Sequence, residues 1–240
     1  MERVGILGGT FDPPHIGHLV LAEYAVTALD LACVLFVPAA DPPHKWRVRV
    51  SIEHRLPMLE CAIAGNDRFS VSRVDIDRPG PHYTVDTVRI LQQQNPTTDY
   101  YFLMGGDSLH HLPEWYHPLE LIALCKIAVM ARPGAEVAPD LKANLLPGLA
   151  DRVVVIDSPM LGFSSTEVAD RLEAGKSVRY LVPDAVLQWR PRFALQNPLR
   201  LGHYRGPVLL PNHAVPQPLV GSEVLRGVPS HGLASRPVQG

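Results

Sequence analysis

Cysteine is scarce in this chain. Three residues in 240, Cys33, Cys61 and Cys125, lie far apart with no C-x-x-C pair. That excludes a disulfide framework and a cysteine-rich zinc ribbon. Each lies in an apolar run, so buried free thiols in a reducing compartment are expected. Long hydrophobic runs are missing too: no stretch of 18 or more apolar residues is present to span a membrane. Met1 leads directly into a strand-like segment, without the charged and apolar regions of a secretory signal. A cytoplasmic protein with no membrane partner is expected. Charge of one sign is also lacking. Lys and Arg total 22 against 24 Asp and Glu, a net of -2 with 11 His besides. This balance argues against a protein that coats nucleic acid or an anionic membrane through bulk charge. The oligomeric state stays open, a homo-oligomer included.

What is present suits a globular core: 46% of residues are hydrophobic, and the 19% that are charged are too few and too mixed for a disordered polyelectrolyte. The 24 Pro are unevenly spread. Residues 197–240 hold 7 Pro and 6 Gly, with four Arg (Arg200, Arg205, Arg226, Arg236) and one acid, Glu223. That leaves 18 basic and 23 acidic residues in the first 196, a net of -5. The expected organisation is a catalytic domain over residues 1–195 and a Pro/Gly-rich extension over 196–240 that is disordered and dispensable. A chain ended near Gln196 is expected to keep its activity and melting temperature.

Within the first 190 residues, short apolar runs alternate with amphipathic ones. Strands are expected at Val4–Leu7, Cys33–Val37, Phe69–Ile76, Tyr100–Met104, Ile127–Ala131 and Val153–Ile156. Helices are expected at Leu19–Leu29, Ser51–Ala64, Val85–Gln94, Leu119–Cys125, Ser164–Ala174 and Pro183–Trp189, with Pro57 marking a kink or late start in the second. Arg78–His82 and Gly134–Pro139 read as linkers. Strand–helix alternation implies an α/β fold with a mainly parallel sheet covered by helices on both faces. Ligands then belong at the carboxyl ends of the strands.

The densest chemical signal joins the first strand to the first helix: Gly8-Gly9-Thr10-Phe11-Asp12-Pro13-Pro14-His15-Ile16-Gly17-His18. Two glycines permit close backbone approach to a bulky group, and a helix N-terminus offers free N–H groups to phosphate. His15 and His18 are three apart, so they project toward one ligand, and Gly17 leaves room between them. A metal pair is the weaker reading, because no third ligand stands nearby, and no protein metal site is expected. A satisfied structural His pair is the other reading. Two further blocks are Gly80-Pro81-His82-Tyr83-Thr84-Val85-Asp86-Thr87 and Gly105-Gly106-Asp107-Ser108 with Trp115-Tyr116. Trp115, in a loop between Pro113 and Pro118, either stacks on a flat cationic heterocycle or closes the edge of the core. Two decoys fail. Gly175-Lys176-Ser177 follows a helix and has Asp170 where a phosphate loop needs Gly, and Gly5-Ile6-Leu7-Gly8-Gly9 is not G-x-G-x-x-G.

The first string resembles the nucleotidylyltransferase superfamily, whose H-x-G-H element it matches in full. With the other blocks, the Pro43-His44-Lys45 turn, Arg132-Pro133-Gly134, Ser164-Ser165-Thr166 and Tyr180-Leu181-Val182-Pro183-Asp184, residues 1–193 resemble the bacterial nicotinate-nucleotide adenylyltransferases. The resemblance implies a Rossmann-like doubly wound fold. It also implies adenylyl transfer from ATP, with Mg²⁺, to nicotinate mononucleotide, with no nucleic-acid partner. By position it assigns Gly8, Gly9, Thr10, Phe11, His15, His18, Gly105, Asp107, Arg132, Ser164, Ser165 and Thr166 to ATP. Thr10, Lys45, Tyr83, Thr84, Trp115 and Tyr116 fall to the nicotinate nucleotide, and His15, His18 and Lys45 to catalysis. Two positions depart from the pattern: Ala169 stands where Arg is usual, and His82 where a small residue is usual. Rival readings are another nucleotidylyltransferase, acting on nicotinamide mononucleotide or phosphopantetheine, and a nucleotide-binding sensor without catalysis.

Overall fold

The fourth strand shows how the sheet is built. Along Asp99–Gly105, Tyr100, Phe102 and Met104 enter one hydrophobic cluster while Tyr101 and Leu103 enter another. A strand buried on both faces belongs in the middle of a parallel sheet. The computed structural model describes residues 1–42, 48–130, 146–159 and 161–188. Six strands, β1 (Arg3–Gly9), β2 (Cys33–Pro38), β3 (Phe69–Val71), β4 (Asp99–Gly105), β5 (Lys126–Met130) and β6 (Val153–Ile156), form one sheet in the order β3-β2-β1-β4-β5-β6. Every pairing is parallel, with Ile6 opposite Leu35 on one side and Phe102 on the other. This is the doubly wound order whose switch point lies between β1 and β4, as the alternating pattern led one to expect.

Helices α1 (Ile16–Leu29) and α2 (Ile52–Ile63) cover one face, through Ala22, Ala25, Val26, Leu59 and Ile63. Helices α3 (Thr84–Gln94), α4 (Gly106–His111) and α5 (Pro118–Leu124) cover the other, through Val85, Val88, Leu91, Leu109 and Leu121. Each of these large aliphatic side chains stabilises the fold by about 1.5–3 kcal/mol when fully buried. A third cluster joins Met58 and Ala62 of α2 to Val168 of α6 (Ser165–Glu173) and Val186 of α7 (Asp184–Gln188). None of the described helices is long and apolar enough to cross a membrane.

Three expectations change. The third strand stops at Val71, because Ile76 and Asp77 donate back to the Arg73 carbonyl and the chain turns there. Arg78–His82 is not a linker: Arg78 pairs with Asp75 and His82 is buried. Pro57 does not delay the start of α2: it is the sixth residue, and lacking an N–H it cannot bond to the Glu53 carbonyl. Of the cysteines, only Cys125 is fully buried, and burial pushes its thiol up to about 12; Cys33 and Cys61 are half-buried, and none of the three forms a disulfide. Gly134–Pro139, Trp189 and the extension 196–240 lie outside the described residues.

Candidate active site

At the switch point, β1 ends in Gly8-Gly9 and β4 in Gly105, and a cavity of about 530 Å³ opens over them. Gly9 lies close beneath the turn above it, where a Cβ would stand 3.3 Å from the Phe11 ring, a tight contact. Phe11 itself has φ 50° and is buried, against Phe36 at 5.9 Å and His18 at 4.9 Å between ring centroids. The Phe11 side chain therefore supports the loop from beneath and is not part of the cavity lining. Gly8, Gly9, Thr10, His15 and His18 do line it, as does Gly105 across the switch point.

The two histidines are stacked, with ring centroids 3.7 Å apart and planes at 29°. His15 caps α1, and its backbone N–H donates to Nδ1 of His18 at 3.1 Å. Neutral His18 therefore carries its proton on Nε2. His15 is buried, packed edge-on against Phe163 at 5.4 Å, and burial lowers its pKa to about 4. It is uncharged at neutral pH. Among the described residues its buried Nδ1 has no hydrogen-bond partner. Gly17 has a further packing role: a Cβ there would meet His15 Cε1 and Nδ1 at 2.9 Å, so the glycine makes space for the His15 ring, and it also lines the cavity.

The loop between β1 and α1 is held from behind by Arg55, which is fully buried. Its guanidinium donates to the carbonyls of Thr10 (2.5 Å), Ala39 (2.9 Å), Ala40 (3.3 Å) and Val50 (2.8 Å). Burial lowers its pKa and nearby Asp12 opposes that shift; Arg stays charged. Asp12 in turn accepts from the N–H of Arg49 at 2.7 Å. Arg55 escaped the sequence reading, although a signal exists. It falls at the first of the inward positions 55, 58, 59, 62 and 63 of α2, a helical face otherwise apolar.

The far wall comes from two segments. Tyr83 caps α3 without a side-chain bond, so no side chain there competes for the first N–H groups, and Tyr83 and Thr84 line the cavity. Trp115 meets Phe102 edge to face at 5.9 Å and packs against the core, and it also lines the cavity. Tyr116, also lining the cavity, stacks on Tyr83 at 4.2 Å. Above the first loop, Ser164, Ser165 and Thr166 open α6 and line the cavity. The Ser164 hydroxyl accepts from the Glu167 N–H, and the Ser165 hydroxyl donates to the Pro13 carbonyl at 3.1 Å. The Ile16 N–H donates to the Leu181 carbonyl at 2.9 Å, which anchors the 180–184 string beneath α1.

Lys45 and Arg132 lie outside the described residues, as does the side chain of Asp107, whose backbone is in the first turn of α4. Ala169 is buried in α6, and Arg171 is occupied with the Ser177 carbonyl at 3.1 Å, so it does not substitute for the missing Arg. The cation described beside α6 is Arg49, paired with Asp170 and Glu173. The cavity adds Asp75, Thr87, Ser108 and Phe163 to the expected lining. The Asp75 carboxylate accepts from Thr87 Oγ1 at 2.8 Å and from Arg78, so its buried charge is compensated.

A cavity at the switch point of a 3-2-1-4-5-6 sheet, floored by a Gly-Gly-Thr loop running into His-x-Gly-His, defines a nucleotidylyltransferase. In agreement, the family model described as cytidylyltransferase-like matches residues 6–171. Two relatives named "Probable nicotinate-nucleotide adenylyltransferase" narrow the class. The one from Thermomicrobium roseum is 42% identical over 81% of this chain and 92% of its own length, and the one from a Synechococcus species 44% over 77% and 90%. A Plasmodium falciparum nicotinic acid mononucleotide adenylyltransferase, solved with NaAD, shares the fold at a TM-score of 0.69 and 15% identity, over 81% of this chain and 97% of that one. The chain belongs to the nicotinate-nucleotide adenylyltransferases, nucleotidyltransferases of NAD biosynthesis that join the adenylyl group of ATP to nicotinate mononucleotide.

Proposed function

We propose that this cavity binds ATP and nicotinate mononucleotide side by side, and that a 5′-phosphate oxygen of the latter attacks the α-phosphorus of ATP in line. The new P–O bond forms as the bond to pyrophosphate breaks, giving nicotinate adenine dinucleotide. The attacking phosphate is already ionised at pH 7, so catalysis is mainly positioning and charge stabilisation. ATP enters as its Mg²⁺ complex, the ion arriving with the phosphates. The reaction is assigned to the cytoplasm, whose reducing conditions suit three cysteines that form no disulfide.

One observation carries the reading: two chemically different walls face one cavity. On one side stand His15, His18 and the N-terminus of α6, a seat for a polyphosphate. On the other stand Trp115 and the uncapped start of α3 at Tyr83 and Thr84, suited to a flat cationic ring bearing a carboxylate. His18 donates through Nε2 to the phosphates, while His15 contributes an uncharged ring. Lys45 is assigned to the reacting phosphates, and Gly8, Gly9, Thr10, Gly105, Asp107, Arg132, Ser164, Ser165 and Thr166 to ATP. Trp115 stacks on the pyridine, and Tyr116 neighbours its carboxylate. A carboxylate gains charge-assisted bonds from N–H groups near Thr84, whereas an amide presents an NH₂ to the same donors. Turnover with ATP should accordingly favour nicotinate over nicotinamide mononucleotide. Preference for the amide in a side-by-side assay refutes this specificity.

A further inference from the structure

We propose that His82 is a positioning residue that fixes the distance between the triphosphate loop and the nicotinate segment. The proposal rests on reading Tyr83 and Thr84 as the segment that meets the nicotinate carboxylate. His82 is buried, 6% exposed, in the cavity wall. Its Nδ1 lies 2.9 Å from the Asp41 amide nitrogen, and its Nε2 lies 3.1 Å from the Arg78 carbonyl oxygen. An amide N–H only donates and a carbonyl only accepts, so Nδ1 is the acceptor and Nε2 carries the proton. Both ring nitrogens are thereby used within the protein, which leaves His82 no atom for acid–base work on a ligand. The ring is a clasp.

What it clasps is informative. The His82 N–H donates to the Asp41 carbonyl at 3.2 Å, a second tie between the same two residues. Gly80 packs against the same partner so closely that a Cβ there would stand 2.5 Å from Asp41 Oδ2. Asp41 directly follows Ala39 and Ala40, whose carbonyls Arg55 holds together with that of Thr10. A continuous run of bonds therefore leads from Thr10 through Arg55, the segment 39–41 and His82 to Tyr83. One end is the loop beneath the triphosphate, and the other begins the wall opposite. In-line transfer needs reacting atoms about 3–3.5 Å apart, and a displacement of about 1 Å costs on the order of 10²-fold. A bridge linking the two substrate segments independently of the sheet is placed to set that spacing.

Three variants of the full chain test this: His82→Ala, His82→Asn and His82→Gln. Asn offers an oxygen near the place of Nδ1 and keeps the Asp41 tie; Gln reaches the Arg78 carbonyl but releases Asp41; Ala releases both. KM for nicotinate mononucleotide should rise about tenfold or more in the Ala and Gln variants and stay within about threefold of wild type in Asn, with kcat falling in the same order. The Kd of a non-hydrolysable ATP analogue should change less than about twofold in all three. A purely structural role lowers the active fraction and leaves KM unchanged. Unchanged KM in the Gln variant, an Asn variant no better than Gln, or equal weakening of the ATP analogue overturns the proposal. The Asn–Gln contrast decides the matter even where the Ala variant does not fold. A wild-type protein without turnover of nicotinate mononucleotide overturns the reaction as well as the clasp; normal wild-type turnover with indifferent variants overturns the clasp alone.

Discussion

The backbone N–H of His15 donates to Nδ1 of His18 at 3.1 Å, and this bond separates the roles of two residues that look equivalent in the H-x-G-H string. It fixes the tautomer of His18 so that its proton sits on Nε2. The stacking it accompanies places His15 against Phe163 in a buried position, where charge is disfavoured.

Removing the donor should therefore hurt chemistry more than folding. In His18→Ala, kcat is expected to fall on the order of 10²–10³, with a circular-dichroism melt close to wild type. Near-wild-type turnover in the folded variant contradicts the role given to His18.

Stability should depend on acid through His15. Burial holds its folded pKa at about 4, against the ordinary imidazole value of 6.5. Between those values the unfolded chain takes up a proton that the folded chain refuses. The contribution is thus fully present above the unfolded value and is lost as the pH falls toward 4, about 3 kcal/mol in all. Urea titrations across this range should give a shallower acid slope in His15→Asn than in wild type. Parallel slopes contradict a neutral, buried His15.

Gly17→Ala tests the packing between the histidines. The added methyl would sit 2.9 Å from the His15 ring and push it out of the stack. A loss of about 1–3 kcal/mol in stability is expected, together with a fall in kcat measured on the same preparation. An unchanged kcat shows that the stacked arrangement is not needed for turnover.

Arg55→Lys should be costly despite its conserved charge. One ammonium cannot reproduce a planar fork spread over the carbonyls of Thr10, Ala39, Ala40 and Val50. Chemical denaturation is expected to show a loss of about 3 kcal/mol or more, since buried carbonyls are left unpaired. A Lys variant as stable as wild type rules out this clamp.

Much of the fold was legible in the sequence. The runs at Val4–Leu7, Cys33–Val37 and Tyr100–Met104 are fully apolar because those strands are buried on both faces, a pattern that survives without knowledge of neighbours. Phe69–Ile76 misled because alternation describes Phe69–Val71 truly, then continues by chance into a turn governed by Asp75, Arg78 and Thr87, partners up to 12 residues apart. Most of the site was legible too, since its glycines, histidines and Trp115 sit in short strings at strand ends. That the Phe11 ring packs into the core beneath the loop was not legible, because it depends on contact with Phe36, 25 residues away.

By itself the sequence determined the order of strands and helices, and hence the edge where chemistry sits. It also placed the glycine-histidine loop at the start of α1, because these follow from local periodicity and from glycine's freedom near a phosphate. The tertiary structure alone decided that His15 stays neutral, why a side chain at Gly17 would crowd it, and that Arg55 and His82 tie the loop after β1 to the segment before α3. Those facts depend on burial and on contacts between residues as far as 148 apart in the chain, as His15 and Phe163 are, and local sequence carries no record of desolvation or of distant partners.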